Sequence, residues 1–288
     1  MNQKVRQSTF ATILLTSITL VAFAANSVIC RHALAERSID PGSFTCLRIV
    51  SGAMTLWLIS VLFRRKSRPN GRILPAVFLA IYAVCFSFAY LRLSAGTGAL
   101  ILMGTVQATM LVGGIREGER LSGARWLGLL AALGGIVYLV SPGITAPPLI
   151  SAGLMATAGV AWGIYSLFGR KSGDPITSTT DNFIKAAPMV VVASLAQLTQ
   201  VSASPKGILL ALISGSITSG GGYVVWYSAL RGLTSTQAGV VQLAVPVIAA
   251  VGGVLLLGEP IVLRVILATV VVLGGVGVAV LRPKRTVQ

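Results

Sequence analysis

Acidic residues are scarce in this chain. It has seven aspartates and glutamates among 288 residues, and charged residues of both signs make up only 10% of the sequence. Soluble domains carry about 25% charged residues, which they need to cover their surface. The low charge therefore excludes an ordinary soluble domain and indicates a chain whose apolar surface faces lipid.

The residues that metal sites and hydrolases need are also few. The single histidine, His32, excludes a histidine-rich metal site, and the three cysteines stand at spacings that match no metal motif. We expect the cysteines to pack as small apolar side chains. The sequence has no Gly-x-Ser-x-Gly elbow and no phosphate-binding loop. We therefore predict no catalytic residues, no cofactor, no metal and no ATPase activity.

Hydrophobic residues, by contrast, make up 55% of the chain, with a mean hydropathy of +0.86. They fall in ten stretches, each of about the length that crosses 30 Å of hydrocarbon. The first stretch contains Ala22-Phe23-Ala24, similar to a signal-peptidase site, but it continues past that point, so we interpret it as a retained span. The predicted spans are 9–30, 43–63, 73–91, 97–115, 122–141, 148–168, 183–201, 207–229, 236–257 and 262–281.

The chain repeats itself at an offset of 140 residues. Three motifs recur: Leu93 as Leu233, Gly118-Glu119 as Gly258-Glu259, and Leu133-Gly134-Gly135 as Leu273-Gly274-Gly275. Each copy, 1–141 and 148–288, holds five predicted spans. Because five is odd, the second copy must cross the bilayer in the opposite direction. The sequence thus predicts an all-α polytopic membrane protein of ten transmembrane helices, arranged as two inverted five-helix repeats. This is a transporter architecture, with the substrate bound between the copies.

Lysine and arginine predict the orientation. With the N-terminus inside, sixteen of them fall in cytoplasmic segments and five on the other side, namely Arg31, Arg37, Arg92, Lys206 and Arg264. This excess follows the positive-inside rule, so both termini are expected in the cytoplasm. The net charge of +16 is explained by these loops, and we expect no nucleic-acid partner. We expect a monomer in the lipid bilayer.

The order of motifs resembles the drug/metabolite transporter superfamily, in its EamA-type ten-helix branch. Trp162-Gly163 is similar to the family's first-helix signature, whereas the first copy has Phe23-Ala24-Ala25-Asn26 with no Trp-Gly. The similarity covers essentially the whole chain. Its other motifs are Leu93-Ser94-Ala95-Gly96, Gly118-Glu119-Arg120-Leu121, Trp226-Tyr227-Ser228-Ala229-Leu230, Pro246 and Gly258-Glu259-Pro260.

Within this branch the chain is most similar to the YddG-type exporters of aromatic amino acids. The resemblance implies a ten-helix basket in a bacterial inner membrane, with helices 5 and 10 at the periphery and a central cavity lined by both copies. It implies export of amino acids, aromatic and other neutral ones, by alternating access. Export of another small metabolite or of a lipophilic drug is the alternative.

Aromatic residues indicate where such a substrate would bind. The third span carries Phe78, Tyr82, Phe86 and Tyr90 along one helix face. Tyr82, at mid-span, favours an interior face because its hydroxyl needs a partner. Phe78 and Tyr90 lie nearer the interfaces, where aromatic belts are expected. The aromatic residues predicted to bind substrate are Tyr82, Phe86, Trp162, Tyr165 and Tyr223; an interhelical or lipid-facing stripe is the alternative for any one ring.

Polar side chains within spans usually face a cavity or a partner helix. Those that stand out are Asn26, Gln107, Gln197 and Gln242. Met103 precedes Gln107 by four residues, so the two share a face. Pro246 frees a carbonyl near Gln242, which could bind a substrate's ammonium group. We predict substrate binding by Asn26, Met103, Gln107 and Gln242, with helix–helix hydrogen bonds as the alternative.

Glycines permit close approach of helices in membranes, and some act as hinges. The run Gly220, Gly221 and Gly222 stands directly before Tyr223. We predict that these glycines, with Pro246, form the hinge.

No mid-membrane carboxylate is expected, because all seven acidic residues fall in or near predicted loops. Without one to relay protons, we predict gradient-driven transport of a neutral or zwitterionic solute. Two basic residues lie inside or near spans. We expect Arg48 to snorkel to the external interface and Lys185 to pair with Asp181 four residues earlier. Binding of a substrate carboxylate is the alternative for both.

Overall fold

The computed structural model describes residues 9–63, 71–116, 123–143, 145–169, 174–195, 201–233 and 241–281. These residues contain ten long helices. The first copy forms α1 (Thr9–Ala35), α2 (Pro41–Leu62), α3 (Leu74–Tyr90), α4 (Ala95–Arg116) and α5 (Gly123–Val140). The second forms α6 (Leu149–Gly169), α7 (Pro175–Leu195), α8 (Pro205–Ala229), α9 (Ala244–Leu257) and α10 (Leu263–Leu281).

Five of these helices, α1, α2, α4, α6 and α8, are long and apolar enough to cross a membrane. The apolar segments in α3, α5, α9 and α10 are shorter. The ten helices correspond one to one with the ten predicted spans. Of the features predicted above, Gly118-Glu119 and Gln197 lie outside the described residues.

The boundary predicted for the seventh span is wrong, because α7 begins at Pro175 rather than at residue 183. Asp174 fixes this start. Its Oδ1 accepts a hydrogen bond from the N–H of Ile176 at 3.2 Å, and proline suits the first position of a helix. The hydropathy pattern missed the first two turns of α7, residues 175–182, because most of their side chains are polar. Thr179, Thr180 and Asn182 in these turns are nevertheless buried, so they face protein rather than lipid.

The centre of α8 departs from α-helical geometry, since Ser214–Gly221 forms a π-helix. Neighbouring helices pack closely here. A Cβ at Gly215 would overlap the carbonyl group of Arg48 and the hydroxyl of Ser51, so only glycine lets α2 lie against this segment. From the other side, Asn26 Oδ1 accepts a hydrogen bond from Ser214 Oγ at 2.7 Å. The π-helical segment is therefore held between α1 and α2.

Helices of one copy pack mainly against helices of the other. α3 packs on α6, α1 on α8, α2 on α7, and α4 on α9. The helices α5 and α10 contact each other most extensively and expose large apolar side chains, among them Leu127, Val137 and Val270. They form an outer pair, and the remaining eight helices surround the centre.

Candidate central cavity

A cavity lies between the two copies. The first copy lines it from α1, α3 and α4 with Phe23, Asn26, Ser27, Tyr82, Phe86, Ala99, Leu102 and Met103. The second copy lines it from α6, α8 and the start of α9 with Trp162, Thr218, Ser219, Tyr223, Gln242 and Val245. A molecule held here would touch both copies at once.

Five of the fourteen lining residues are aromatic, and their rings contact one another across the boundary between the copies. The ring centroids of Tyr82 and Trp162 are 4.7 Å apart, and those of Trp162 and Tyr223 are 5.3 Å apart. Phe23 lies 5.9 Å from Tyr223, and Phe86 lies 5.4 Å from Tyr82. Such distances are typical of attractive ring pairs. The rings thus close on each other, and Trp162 joins the two sides.

The free space left between these rings is small. It has room for about three water molecules, at the volume that one water requires. An amino acid is larger than this, so its entry requires the rings to part. The structure therefore represents the cavity in a contracted form.

Polar groups also line the wall. Asn26 Oδ1 accepts from Ser214 and also from Thr218 Oγ1, at 3.2 Å, so this carbonyl serves contact between α1 and α8. Gln242 lies one residue before Leu243, the N-cap of α9. Pro246 is the third residue of α9, in the first turn, where backbone N–H groups have no intrahelical acceptor.

The structure contradicts the expectation that Arg48 snorkels to the interface. Arg48 is only 2% exposed. Its Nη2 donates a hydrogen bond to Tyr82 Oη at 2.9 Å, and its Nε donates to Ser219 Oγ at 3.4 Å. The guanidinium carbon also lies 4.7 Å from the centroid of Phe86. The side chain points inward because these partners are provided by α3 and α8, which the sequence of α2 alone does not reveal.

The prediction that Tyr90 lies in an aromatic belt near the membrane interface is also wrong. It is 0% exposed, and its hydroxyl donates to the carbonyl of Ala95 at 3.3 Å. Its ring packs edge-on against Phe86 at 4.8 Å. Phe78, at the other end of the stripe, stacks on Phe168 of α6 at 6.3 Å. Phe86 and Tyr90 are thus buried within the protein, whereas Phe78 is half-buried against α6.

Seven of the nine predicted binding residues line the cavity, and two do not. Gln107 is half-buried, one turn of α4 beyond Met103 and outside the lining. Tyr165 is buried behind the wall, its ring 5.2 Å from that of Trp162. Tyr165 lies one helical turn after Trp162 along α6, beyond the residues that line the cavity.

Sequence reasoning missed several lining residues, above all Phe23, Ser27 and Ser219. The spacing contained a signal for each. Ser219 precedes Tyr223 by four residues and Phe23 precedes Asn26 by three, so each shares a helix face with a predicted residue. Ser27 follows Phe23 by four residues and lies on the face of Phe23.

The predicted hinge residues lie where helices deviate from regular geometry. Gly220 and Gly221 end the π-helical segment, and Gly222 begins the α-helical part of α8. Mid-helix π segments occur frequently at functional sites. The helical turn before α9 is interrupted at Leu243, three residues before Pro246.

One end of the bundle is joined by charged groups. Arg31 Nε donates to Glu259 Oε1 at 3.1 Å, and Arg31 Nη1 donates to the carbonyls of Tyr90 and Leu91, both at 3.1 Å. The second oxygen of Glu259 accepts from the N–H of Ala95 at 2.9 Å, at the positive end of the α4 dipole. We call this end the Arg31 end. It gathers loops predicted to be external.

Gly258 positions this carboxylate. Its φ of +64° is left-handed, which ends α9 and turns Glu259 back toward α4. The prediction that the Gly-Glu motif ends a helix is confirmed at Gly258. Glu259 does more, since it links α9 to α1 and α4.

A second contact at the Arg31 end joins the loop after α1 to the segment before α8. The N–H of Asp40 donates to the carbonyl of Ser202 at 2.8 Å, and the N–H of Ser204 donates to the carbonyl of Ser38 at 2.8 Å. Lys206 Nζ contacts Glu36 Oε2 at 2.5 Å on the surface. This hydrogen bond holds the pKa of the Glu36 carboxyl below its ordinary value.

The opposite end, which we call the Thr9 end, is joined differently. Ser60 Oγ lies 3.1 Å from Thr180 Oγ1, and a Cβ at Gly232 would overlap the side chain of Thr12. Among the described residues, no ion pair joins the copies at this end.

Asp181 corrects the expectation that every acidic residue lies in or near a loop. It belongs to α7, six residues after Pro175. The predicted pair with Lys185 is confirmed, since Lys185 Nζ lies 2.6 Å from Asp181 Oδ2. The charge is therefore neutralised within one helix.

Comparisons with known proteins agree with this architecture. The model of the EamA-like transporter family matches twice, over residues 10–141 and 149–281. A solved crystal structure, 19% identical, superposes with a TM-score of 0.65 over 94% of this chain and 98% of its own, which shows the fold alone. The fold and the cavity thus define a multi-pass membrane transporter.

The chain belongs to the EamA-like transporter family, within the drug/metabolite transporters, and its partners are a small-molecule substrate and the lipid bilayer. It is 48% identical to an uncharacterized protein of Pseudomonas aeruginosa, with 95% of both chains covered. It is 23% identical to an uncharacterized transporter of Archaeoglobus fulgidus, covering 85% of this chain and 90% of that one. The uncharacterized transporter YoaV of Bacillus subtilis is 22% identical, with 83% and 86% covered.

Proposed function

We propose that this transporter exports amino acids, aromatic and other neutral ones, across a bacterial inner membrane. The observation that carries the proposal is the ring-walled cavity between the copies. Its wall combines aromatic rings with amide and hydroxyl groups, which suits a small solute that has one apolar and one polar part. The proposed substrate-binding residues in the wall are Asn26, Tyr82, Phe86, Met103, Trp162, Tyr223 and Gln242.

The mechanism that we propose is alternating access between two inverted copies, 1–141 and 148–288. Two observations support it. At the Arg31 end, α3 ends and its counterpart α8 begins. At the same end, α4 begins and its counterpart α9 ends. The pairs α2 with α7, α4 with α9, and α5 with α10 also join equivalent helices. Copies related in this way can rock about a site that both of them line.

The Arg31 end faces the outside in this proposal, with both termini in the cytoplasm and a monomer as the working unit. Opening then alternates between the Arg31 end and the Thr9 end. The end of the π-helical segment at Gly220–Gly222 and the interrupted helical turn before Pro246 supply the hinge.

We propose gradient-driven movement, without a proton relay. Among the described carboxylates, Asp181 is the one that lies within a helix, and the Lys185 ammonium neutralises it at 2.6 Å. Dependence of flux on a pH or sodium gradient would contradict this part of the proposal, and measurement of uptake with each gradient removed tests it.

Counterflow in proteoliposomes tests the substrate. We expect labelled phenylalanine and tryptophan to exchange readily, and threonine and methionine more slowly. Trp162→Leu removes the ring that joins the two walls and should lower phenylalanine counterflow about tenfold, the effect of losing roughly 1.4 kcal/mol of binding. Trp57→Leu is the matched control, because Trp57 is 55% exposed on the lipid-facing side of α2. Absence of counterflow for all four amino acids would refute the proposed substrate.

A lipophilic cation is a less suitable substrate for this cavity. Among the described residues that line it, none is acidic, and the nearby charge is the cation Arg48. A carrier of cationic drugs would require the opposite sign.

A further inference from the structure

Arg48 is a buried charge in the middle of a membrane helix. It lies seven residues after Pro41, which places it about 10 Å along α2 at the rise of an α-helix. It is 2% exposed. Ionisable residues at such depth are costly, and they usually mark a substrate or ion pathway.

The protein satisfies this guanidinium only in part. Of its five N–H donors, one on Nε goes to Ser219 and one on Nη2 goes to Tyr82. Nη1 is buried and has no hydrogen-bond partner among the described residues. Both acceptors that it does have are neutral hydroxyls.

No counter-charge is provided by the described part of the chain. None of its ion pairs includes Arg48. Its acidic residues make hydrogen bonds elsewhere, and these are Glu36, Asp40, Asp174, Asp181 and Glu259. The faces of Phe86 and Tyr82, at 4.7 and 5.3 Å, attract the cation without neutralising it. A buried charge left in this state calls for an anion that the described residues do not supply.

The cavity brings such an anion within reach. Tyr82, Phe86 and Ser219 line it, and all three contact the guanidinium. We infer that Arg48 binds the carboxylate of the substrate, with the substrate's apolar part against Trp162 and Tyr223. The inference rests on the proposed function and narrows it, because the carboxylate becomes a required part of the substrate. Arginine suits this role, since its planar fork pairs with both carboxylate oxygens.

This assignment makes the protein selective for acids over their amides. Phenylalaninamide keeps the ring and the ammonium group of phenylalanine but has no carboxylate. We expect unlabelled phenylalanine to compete in phenylalanine counterflow about 10- to 100-fold better than the amide, the range that hydrogen bonds to a charged group provide. Arg48→Gln should abolish this preference, and Arg48→Lys should restore part of it.

Arg264→Gln is the matched control. Arg264 also lies over an aromatic ring, that of Tyr138, and donates to the carbonyl of Ser141, but neither of these partners lines the cavity. This variant should keep the preference for the acid. A purely structural role of Arg48 would lower transport of acid and amide equally and leave their ratio unchanged, which would overturn the inference.

A binding measurement separates this inference from the proposed substrate. The purified protein is heated with 3-phenylpropionate or with 3-phenylpropionamide, neither of which is an amino acid. We expect a rise in melting temperature with the acid only, and loss of that rise in Arg48→Gln. If no amino acid is transported but this pattern holds, the carboxylate site stands and the proposed substrate fails. Equal stabilisation of the wild-type protein by acid and amide would refute the site without any variant.

Discussion

The two ends of the bundle hold the copies together by different means. At the Arg31 end, two ion pairs, the charged hydrogen bond from the N–H of Ala95 to Glu259 and a β-bridge between Ile39 and Ala203 cross from one copy to the other. At the Thr9 end, the described contacts are a hydroxyl pair, stacked rings and close packing at Gly232. Hydrogen bonds to charged groups cost more to break than a bond between two neutral hydroxyls. We expect the Arg31 end to control access.

Cys30 reports on this difference. It is a free thiol, 0% exposed, next to Arg31 in α1. With Cys46 and Cys85 replaced by alanine, its rate of maleimide labelling measures opening at the Arg31 end.

Gly207→Ala should have the largest effect. A Cβ there would overlap the backbone carbonyl of Ser38, which cannot rotate away, so the contact between α8 and the loop after α1 must separate. We expect a loss of about 1–3 kcal/mol, seen as a lower melting temperature and faster labelling of Cys30. Gly153→Ala is the control, since a Cβ at Gly153 meets open space. An unchanged melting temperature would show that this contact does not hold the end closed.

Arg31→Gln should have the second-largest effect. It removes the ion pair with Glu259 and weakens both carbonyl contacts, so we expect Cys30 labelling to rise about tenfold, the equivalent of 1.4 kcal/mol. Glu259→Gln should act less, because an amide oxygen still accepts from Ala95. The free-energy effect of the double variant should be smaller than the sum of the two single effects, because Arg31 and Glu259 contact each other. Arg37→Gln, which alters an exposed side chain at the same end, should label at the wild-type rate.

Ser60→Ala, at the Thr9 end, should have a smaller effect. The hydroxyl pair is neutral, and Thr180 keeps its bond to the carbonyl of Ile176 at 2.9 Å. We expect a cost of about 1 kcal/mol or less in thermal unfolding, with Cys30 labelling unchanged. Labelling as fast as in Arg31→Gln would mean that the two ends open together, contrary to the comparison.

Lys206→Gln should have the smallest effect. The side chains of Lys206 and Glu36 are 54% and 46% exposed, so water and salt screen their attraction. The folded state lowers the pKa of Glu36, so this pair stabilises the protein at neutral pH and stops doing so as pH falls through that pKa. The small difference in melting temperature between wild type and variant should therefore vanish in acid. A difference that grows toward low pH would contradict this sign.

The ten helices were predictable because each contains an apolar run, and in five of the described helices this run is long enough to cross a membrane. The start of α7 was not, because Thr179 and Thr180 are polar and face protein, a fact that hydropathy does not record. Tyr82 and Tyr223 were found in the cavity wall because their helical spacing marks a face. Spacing cannot say which face meets a partner.

The prediction for Arg48 failed for that reason. Snorkelling and inward burial differ only in what the neighbouring helices present, and Tyr82 and Ser219 are 34 and 171 residues away in sequence. Glu259 was similar. Its motif marked the end of a helix, while its contacts with Arg31 and Ala95 depend on the second copy folding back on the first.

The π-helical centre of α8 gives this helix a second possible register. Conversion of one π turn to α geometry would shift the following residues by one position, a rotation of about 100° around the axis. Tyr223, two residues after the segment, would then leave the cavity wall, while Pro205 at the far end of α8 could stay in place. A ring of the binding site could thus be turned in or out by rotation within a single helix, without displacement of either copy as a whole.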